Sequence, residues 1–454
     1  MTTRRLLAAL SLAALAGSAV CARAATSYEP IPAPRLDPRI QAMVNAVSAK
    51  DVRAFDTRLV EFGTRNDFSD NLNSPTRGVF AARDWIRAQF EEIAKTSGGR
   101  LTVKLDTFTH PKTDRTPRDV VESSVIATLK GSEPGPTYVL SSHYDDCDGK
   151  CTDGSGDAPG ADDNGSGTAA VIEAAKVMAR TQFRGTIVFA VFDGEELGLW
   201  GSQHFADELK ANGTNVVANL NNDIIGTPNS PAASPDANQV RIFSEALASG
   251  VKDSTVNLVG SENDSPSREI ARFVKATAER YVKPMEGVLI YRADRFLRGG
   301  DQESFSADGF PAIRFVEIHE DFRHQHQDVR KDAGVQYGDL PQYVDSDYLA
   351  RVTKMNVAAL GALALGPDQP VQVELLTRHL TNDSTLRWKP AAGASSYEIV
   401  WRETTSPVWQ YAKNVGNATQ ATVPVSKDNY ILGVRSVDAH GLYSPVVYPV
   451  PVRQ

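Results

Sequence analysis

Seven ionisable side chains crowd into one part of the chain: His143, Asp145, Asp162, Asp163, Glu195, Glu196 and Asp223. They lie in the stretches YVLSSHYDD, PGADDNGSG, FAVFDGEELGLWGS and NLNNDI, each just after an apolar run or a glycine turn. A soluble core does not collect such groups at strand ends without a partner for them. The simplest partner for that much converging negative charge is a metal ion, or two. In His143-Tyr144-Asp145 the second carboxylate can accept the imidazole's other N–H and so fix its tautomer. Of Asp162-Asp163, one carboxylate can bridge two cations, although the same residues alone would make an ordinary turn. Glu195 and Glu196 point in different directions, so one can bind metal while the other holds a proton. Asp223 is a natural third ligand beside His143, or else a plain helix cap.

Other chemistries fit less well. In EIHEDFRHQHQD, His319-Glu320 with His324 misses the H-E-x-x-H zinc motif, because its second histidine comes one residue too late to share a helix face. CDGKC lacks the second cysteine pair that a thiolate zinc site needs. No G-x-S-x-G nucleophile elbow and no Walker loop occur.

The elements that must position these groups alternate. Apolar residues recur at helical spacing over 39–62, and Ser74-Pro75 opens a second helix that ends at Gly98-Gly99. Residues 101–108 and 121–129 read as strands. Further strands are expected at 138–140, 186–192, 216–220, 288–291 and 312–316. Helices are expected at 169–178, 203–210, 267–281 and 345–365. This rhythm predicts an α/β fold, a mainly parallel mixed sheet sandwiched by helices. In such sheets ligands bind outside the carboxyl ends of the strands, where His143, Glu195, Glu196 and Asp223 fall.

The flanking segments add organisation. Arg4 and Arg5, an apolar run over 6–20 and Ala22-Arg23-Ala24 read as a secretory signal over 1–24. The protein is therefore expected to be exported, to a periplasm or the extracellular space. No later stretch is apolar enough to span a bilayer. The net charge is −8 and the basic residues are scattered, so nothing points to nucleic acid. Apart from Cys21 there are two cysteines, Cys147 and Cys151; export permits a disulfide between them, and their even number favours one; free thiols or metal ligands are the alternative. A catalytic domain over 25–366 ends at the linker GPDQP. Residues 371–454 read as short strands separated by turns, a small all-β sandwich with Trp388, Tyr397 and Tyr430 as core aromatics. Their spacing resembles a fibronectin type III module, with Tyr430 as its corner tyrosine. Every candidate ligand precedes the linker, so a chain truncated after Leu365 is expected to stay folded and active.

Taken together and in order, HYD, GADDNGSG, EELGLWGS, the Asp223 segment, GGDQESFSADGFPA and HQHQD resemble the co-catalytic dizinc aminopeptidase family, which also holds glutamate carboxypeptidases and glutaminyl cyclases. The resemblance covers roughly residues 40–365. It implies His143 and Asp223 on one zinc, Glu196 and His324 on the other, and Asp163 bridging them. His324 is matched through the H-x-x-x-D pattern that ends at Asp328. The resemblance also implies Glu195 as the general base, Asp145 as the partner behind His143, and a cis bond between Asp163 and Asn164. One departure stands out: Gly300-Asp301-Gln302 replaces the family's S-D-H, a change expected in the substrate pocket and not among the ligands.

The expected function is that of a secreted metallo-exopeptidase, a dizinc aminopeptidase acting on peptides with a free N-terminus. The alternatives are a related carboxypeptidase, dipeptidase or glutaminyl cyclase, or a non-catalytic binding protein on the same scaffold. Neither the preferred residue nor the oligomeric state is set by the sequence.

Overall fold

Residues 187–192 carry no polar side chain, and a strand of that kind belongs in a sheet covered on both faces. In the structure, a computed structural model that describes residues 28, 30–31, 35–247, 252, 254 and 260–453, this strand is β4 (Thr186–Phe192), buried beyond its first residue. It pairs antiparallel with β2 (Val120–Leu129) and parallel with β3 (Pro136–His143). The parallel run continues through β5 (Asn215–Asn222) to β8 (Ala312–Glu317). β1 (Leu101–His110) closes one edge antiparallel to β2. β6 (Gln239–Ser244) pairs antiparallel with β8, and β7 (Glu286–Ile290) pairs parallel with β6 at the other edge. The result is one eight-stranded mixed sheet, flanked by helices, with its parallel strands at the centre. The expected α/β architecture is present. β6 was not anticipated, because polar residues interrupt its short apolar pattern.

Capping explains where the helices begin and end. The helical stretch over 39–62 is two helices, Pro38–Ala46 and Ala49–Val60. They break at Val47-Ser48, where the Ser48 hydroxyl accepts the Asp51 N–H as an N-cap. The helix expected from Ser74-Pro75 starts later, at Val79, whose N–H is bound by the Ser69 hydroxyl at 2.8 Å. Ser265 caps Pro266–Tyr281 and Asp345 caps Ser346–Leu365 through their side chains. The last helix packs in the main core, with Leu349, Val352, Met355, Val357 and Leu360 fully buried. Among the described residues no helix is long and apolar enough to cross a membrane. The expected signal over 1–24 lies outside the described residues.

Beyond the linker the chain forms a four-stranded and a three-stranded sheet that share a core of Trp388, Tyr397, Ile399, Trp401 and Leu432. Tyr430 is only partly buried and packs edge-on against Tyr28, so it is not the core residue expected. Tyr28 also packs on Trp401 and Tyr411. A residue assigned to the catalytic segment thus belongs with the C-terminal module.

The two parts are joined by buried charge. Asp264 lies 3.2 Å from Arg272 and 2.7 Å from Arg402 of the C-terminal module, with all three side chains buried. Trp409 donates its indole N–H to Glu269, and the Tyr443 ring stands edge-on to Phe273. Truncation after Leu365 would strip Arg402 from Asp264 and Trp409 from Glu269, and would uncover the surface beneath Leu442 and Tyr443. The truncated chain is therefore expected to be destabilised, contrary to the expectation from domain boundaries alone. A single residue tests the coupling: Asp264→Ala leaves Arg272 and Arg402 buried without their shared partner, and should lower unfolding free energy by about 3–5 kcal/mol. Chemical denaturation followed by circular dichroism measures it; an unchanged midpoint and slope would show that the junction carries no stability.

Candidate metal centre

Three neighbouring parallel strands end at one edge of the sheet, and each delivers a candidate group there. β3 ends in His143, β4 runs into Asp193-Gly194-Glu195-Glu196, and β5 runs into Asp223. The fourth contribution is the ADDNGS turn at Ala161–Ser166, which enters the helix Gly167–Met178. Its Asp163–Asn164 peptide is cis, as the family resemblance implied. Asp339 fastens this turn: its carboxylate accepts the backbone N–H of Asp162 and, at 2.7 Å, that of Asp163.

The side chains converge about Asp163. His143 Nε2 lies 3.4 Å from Asp163 Oδ1 and 3.6 Å from Asp223 Oδ1. His326 Nε2 lies 3.0 Å from Asp163 Oδ2 and 3.1 Å from Glu196 Oε1. Each oxygen of Asp163 therefore faces a different imidazole, and each imidazole has one further carboxylate beside it. Glu195 offers an oxygen within 4.8 Å of both His143 and Asp223. Behind this layer, His143 Nδ1 is 3.1 Å from the Asp145 carbonyl and 3.5 Å from its carboxylate, so the backbone oxygen is the nearer partner. The Asp145 carboxylate accepts the Glu196 N–H. Arg314, fully buried, sits 2.8 Å from Asp223 Oδ2 and 2.9 Å from Asp294.

Burial and charge act against each other in this site. Burial opposes a charged His143, yet Glu195 and Asp223 hold its pKa well above the usual imidazole range. Burial would also raise the Asp163 pKa, but the hydrogen bonds from His143 and His326 hold it well below the usual carboxylate range. For Glu195, burial and the carboxylates of Asp223, Glu196 and Asp301 prevail over the attraction of His143, and its pKa lies well above the ordinary value.

One expected ligand is not brought to the site. His324 stacks on Tyr343, ring centroids 3.7 Å apart, with Asp321 as its nearest carboxylate. His326 takes the place expected for it. The chain turns at His326, whose φ is +51°, and that turn separates the two rings. Asp328 does not pair with either ring; it accepts the Gly149 N–H and ties the segment to the Cys147–Cys151 loop. That loop is closed by the expected disulfide. Sequence reasoning also missed Gln325, which donates to Asp163, and Asp339 and Arg314. Arg314 had a signal, a lone guanidinium inside the apolar run AIRFV. The Gly300-Asp301-Gln302 departure lies in the buried interior, where Gln302 bonds to Asp294 and Asn221 and to none of the metal-facing side chains.

The model of peptidase family M28 matches residues 124–337. A "probable zinc metalloprotease" of Leptosphaeria maculans is 44% identical over 427 residues, covering 92% of this chain and 98% of that one. The chain belongs to peptidase family M28. A second relative of the same description, from Pyrenophora tritici-repentis, is 41% identical over 444 residues and covers 95% of this chain and 92% of its own. Among solved structures, the LapA aminopeptidase of Legionella pneumophila superposes with a TM-score of 0.52 at 20% identity, over 75% of this chain and 77% of that one. LapB of the same organism gives 0.54 at 17% identity, over 75% and 78%. At such identities the two structures speak for the fold.

An M28 zinc metallopeptidase implies zinc, and the residues present fit it. The donors are imidazole nitrogens and carboxylate oxygens, the ligand types of zinc hydrolase sites. Asp223 Oδ1 and Glu196 Oε1 are buried and make no hydrogen bond, although each faces an imidazole nitrogen. The two late histidines offer a direct test. His326→Ala should lower zinc content, whereas His324→Ala, which removes only the ring on Tyr343, should keep it. Zinc per chain by plasma emission spectrometry decides; the opposite pattern would restore His324 as the ligand.

Proposed function

We propose that this M28 peptidase is an exported dizinc aminopeptidase. The observation that carries the reading is Asp163, each of whose oxygens faces a different histidine with its own carboxylate. In this reading His143 and Asp223 would hold one ion, Glu196 and His326 would hold the other, and Asp163 would contribute to both. Zinc there would supply Lewis acidity toward a peptide carbonyl and lower the pKa of water. Glu195, beside His143 and Asp223 but outside the bridge, takes a proton from the attacking water and delivers it to the leaving amine nitrogen. Arg314 holds Asp223 by its second oxygen and leaves Oδ1 free to face the metal. A free substrate N-terminus is a cation, and the carboxylates around this site would attract it.

Two further features support the reading. A disulfide such as Cys147–Cys151 persists in the oxidising compartments that exported proteins reach. The C-terminal module, with sheets of four and three strands, is read as fibronectin type III-like and accessory, since every candidate ligand lies outside it.

Substrate choice is tested with aminoacyl-nitroanilides beside the same compounds blocked at nitrogen and beside peptides that report C-terminal cleavage. Release from the free-amine substrates alone is expected; cleavage confined to blocked or C-terminal substrates would replace the aminopeptidase with one of its relatives. The base is tested separately. Glu195→Gln should retain zinc and substrate binding while kcat falls by roughly 10²–10⁴-fold. A variant that keeps full kcat would remove Glu195 from the chemistry.

A further inference from the structure

The loop over 291–300, YRADRFLRGG, carries three arginines that the zinc chemistry does not use. It packs on the loop that carries Gln325 and His326, and one carboxylate joins the two. Glu320 Oε1 lies 2.7 Å from Arg241, and Glu320 Oε2 lies 2.8 Å from Arg295 and 3.1 Å from Arg298. Asp294 divides its oxygens between Arg295 and Arg314. Arg314 continues to Asp223, which faces His143.

The charges in this network do not balance. Arg241, Arg295, Arg298 and Arg314 are four cations; Glu320, Asp294 and Asp223 are three anions. Glu303 lies against Gly299, but among the described residues it forms no ion pair with any of the four. In the peptidase reading Asp223 is also shared with zinc, which widens the excess. The surplus reaches solvent at one place. The Arg314 side chain is fully buried, those of Arg295 and Arg241 are 11% and 18% exposed, and that of Arg298 is 32% exposed. A single nitrogen of Arg298, Nη1, serves both Glu320 and Gln325. Among the described residues its Nη2 and Nε have no hydrogen-bond partner. A guanidinium with a free edge of this kind fits a carboxylate by two parallel bonds.

Gln325 connects this edge to the metal centre. Its amide oxygen accepts from Arg298 Nη1 and its amide nitrogen donates to Asp163 Oδ2, both at 3.1 Å. Two contacts of that length and the width of one amide place the guanidinium nitrogen within about 9 Å of Asp163 Oδ2. One residue spans about 3.5 Å of extended chain, and a carboxylate bonded to a guanidinium adds about 3 Å. A leaving group of one or two residues, cut at zinc on Asp163, therefore reaches Arg298 with its terminal carboxylate. The exposed Phe322 ring, 5.8 Å from the guanidinium carbon, borders the same place. Around His143 and Asp163 the carboxylates suit an ammonium group, and Arg298 gives the site a cationic flank. A short peptide, ammonium at one end and carboxylate at the other, matches both.

We propose that Arg298 is a substrate-binding residue that takes a carboxylate on the leaving side of the scissile bond, and that it directs the peptidase to di- and tripeptides. The proposal rests on the aminopeptidase reading for the direction in which substrate lies. The carboxylate comes from the C-terminus of a short peptide or from an acidic side chain on the leaving residue.

The test uses the full-length, zinc-loaded protein and three substrates: leucyl-alanine, leucyl-alaninamide, and leucyl-glutamic acid α-amide, whose only carboxylate is on the side chain. Leucyl-alanine or the glutamate compound should exceed leucyl-alaninamide in kcat/KM by roughly 10–100-fold, as a charged hydrogen-bonded pair implies, with the difference mainly in KM. Whichever does so identifies the source of the carboxylate. Arg298→Gln should bring that ratio close to one. Arg298→Lys, which keeps the charge and loses the fork, should leave an intermediate ratio. Equal kcat/KM for all three in the unaltered protein, or a preference that survives Arg298→Gln, would overturn the proposal. So would a variant that slows the three substrates alike, which is the outcome of a purely structural role. Leucyl-nitroanilide has no carboxylate and reports the aminopeptidase reading alone. Calorimetry on the unaltered protein needs neither turnover nor a variant: leucyl-alanine and leucyl-glutamic acid α-amide, each with a reduced, non-hydrolysable peptide bond, are compared with the likewise reduced leucyl-alaninamide. Tighter binding of either carboxylate compound by the same factor supports the pairing, and equal affinity of all three overturns it whatever the nitroanilide shows.

Discussion

The Asp163 carboxylate, held between His143 and His326, is the contact on which the site depends. It joins the sheet-end histidine to a histidine on a long loop, and it does so from a turn that belongs to neither. Each participant is fixed from behind. Asp339 binds the turn through two backbone N–H groups. The Asp145 carbonyl takes the far nitrogen of His143. Asp328 anchors the His326 segment to the disulfide loop. Precise placement of metal-facing groups needs such support, because a side chain left to its own rotamers misses the required geometry.

The sheet explains why the groups can meet at all. Parallel neighbours end at the same edge, so β3, β4 and β5 bring His143, Glu195-Glu196 and Asp223 together without long loops. An antiparallel arrangement of the same strands would have sent alternate groups to opposite edges. The adjacent Glu195 and Glu196 show the same economy. One peptide separates them, yet Glu196 faces His326 while Glu195 lies by His143 and Asp223.

Much of this was legible in the sequence, for a physical reason. An apolar run that ends in a charged residue marks both the strand and its functional edge, and His143, Glu195, Glu196 and Asp223 all announce themselves so. Asp163 is marked by the glycines around it. The choice between His324 and His326 carries no such mark. In HQHQD either imidazole could reach the site, and the backbone turn at His326 decides. Asp264 was equally silent, since its partner Arg402 lies 138 residues further on. Tyr28 was placed with the wrong part because its neighbours are far away in sequence. Local pattern reads periodicity and strand ends; it does not read partners brought together only by the finished fold.

Buried charge links these observations. Where the chain supplies its own cation, as Arg65 does for Asp146 and Arg314 does for Asp223 and Asp294, the carboxylate is answered by a guanidinium. Around Asp163, carboxylates outnumber any such partner. An uncompensated buried charge costs several kcal/mol even after the surroundings relax, so this region must take up protons or metal ions as the chain folds. Ligand deprotonation then couples metal uptake to pH, and metal uptake to folding. The acidic residues at this sheet edge thus burden the fold as well as form the candidate metal centre, and the zinc that the family implies would relieve that burden.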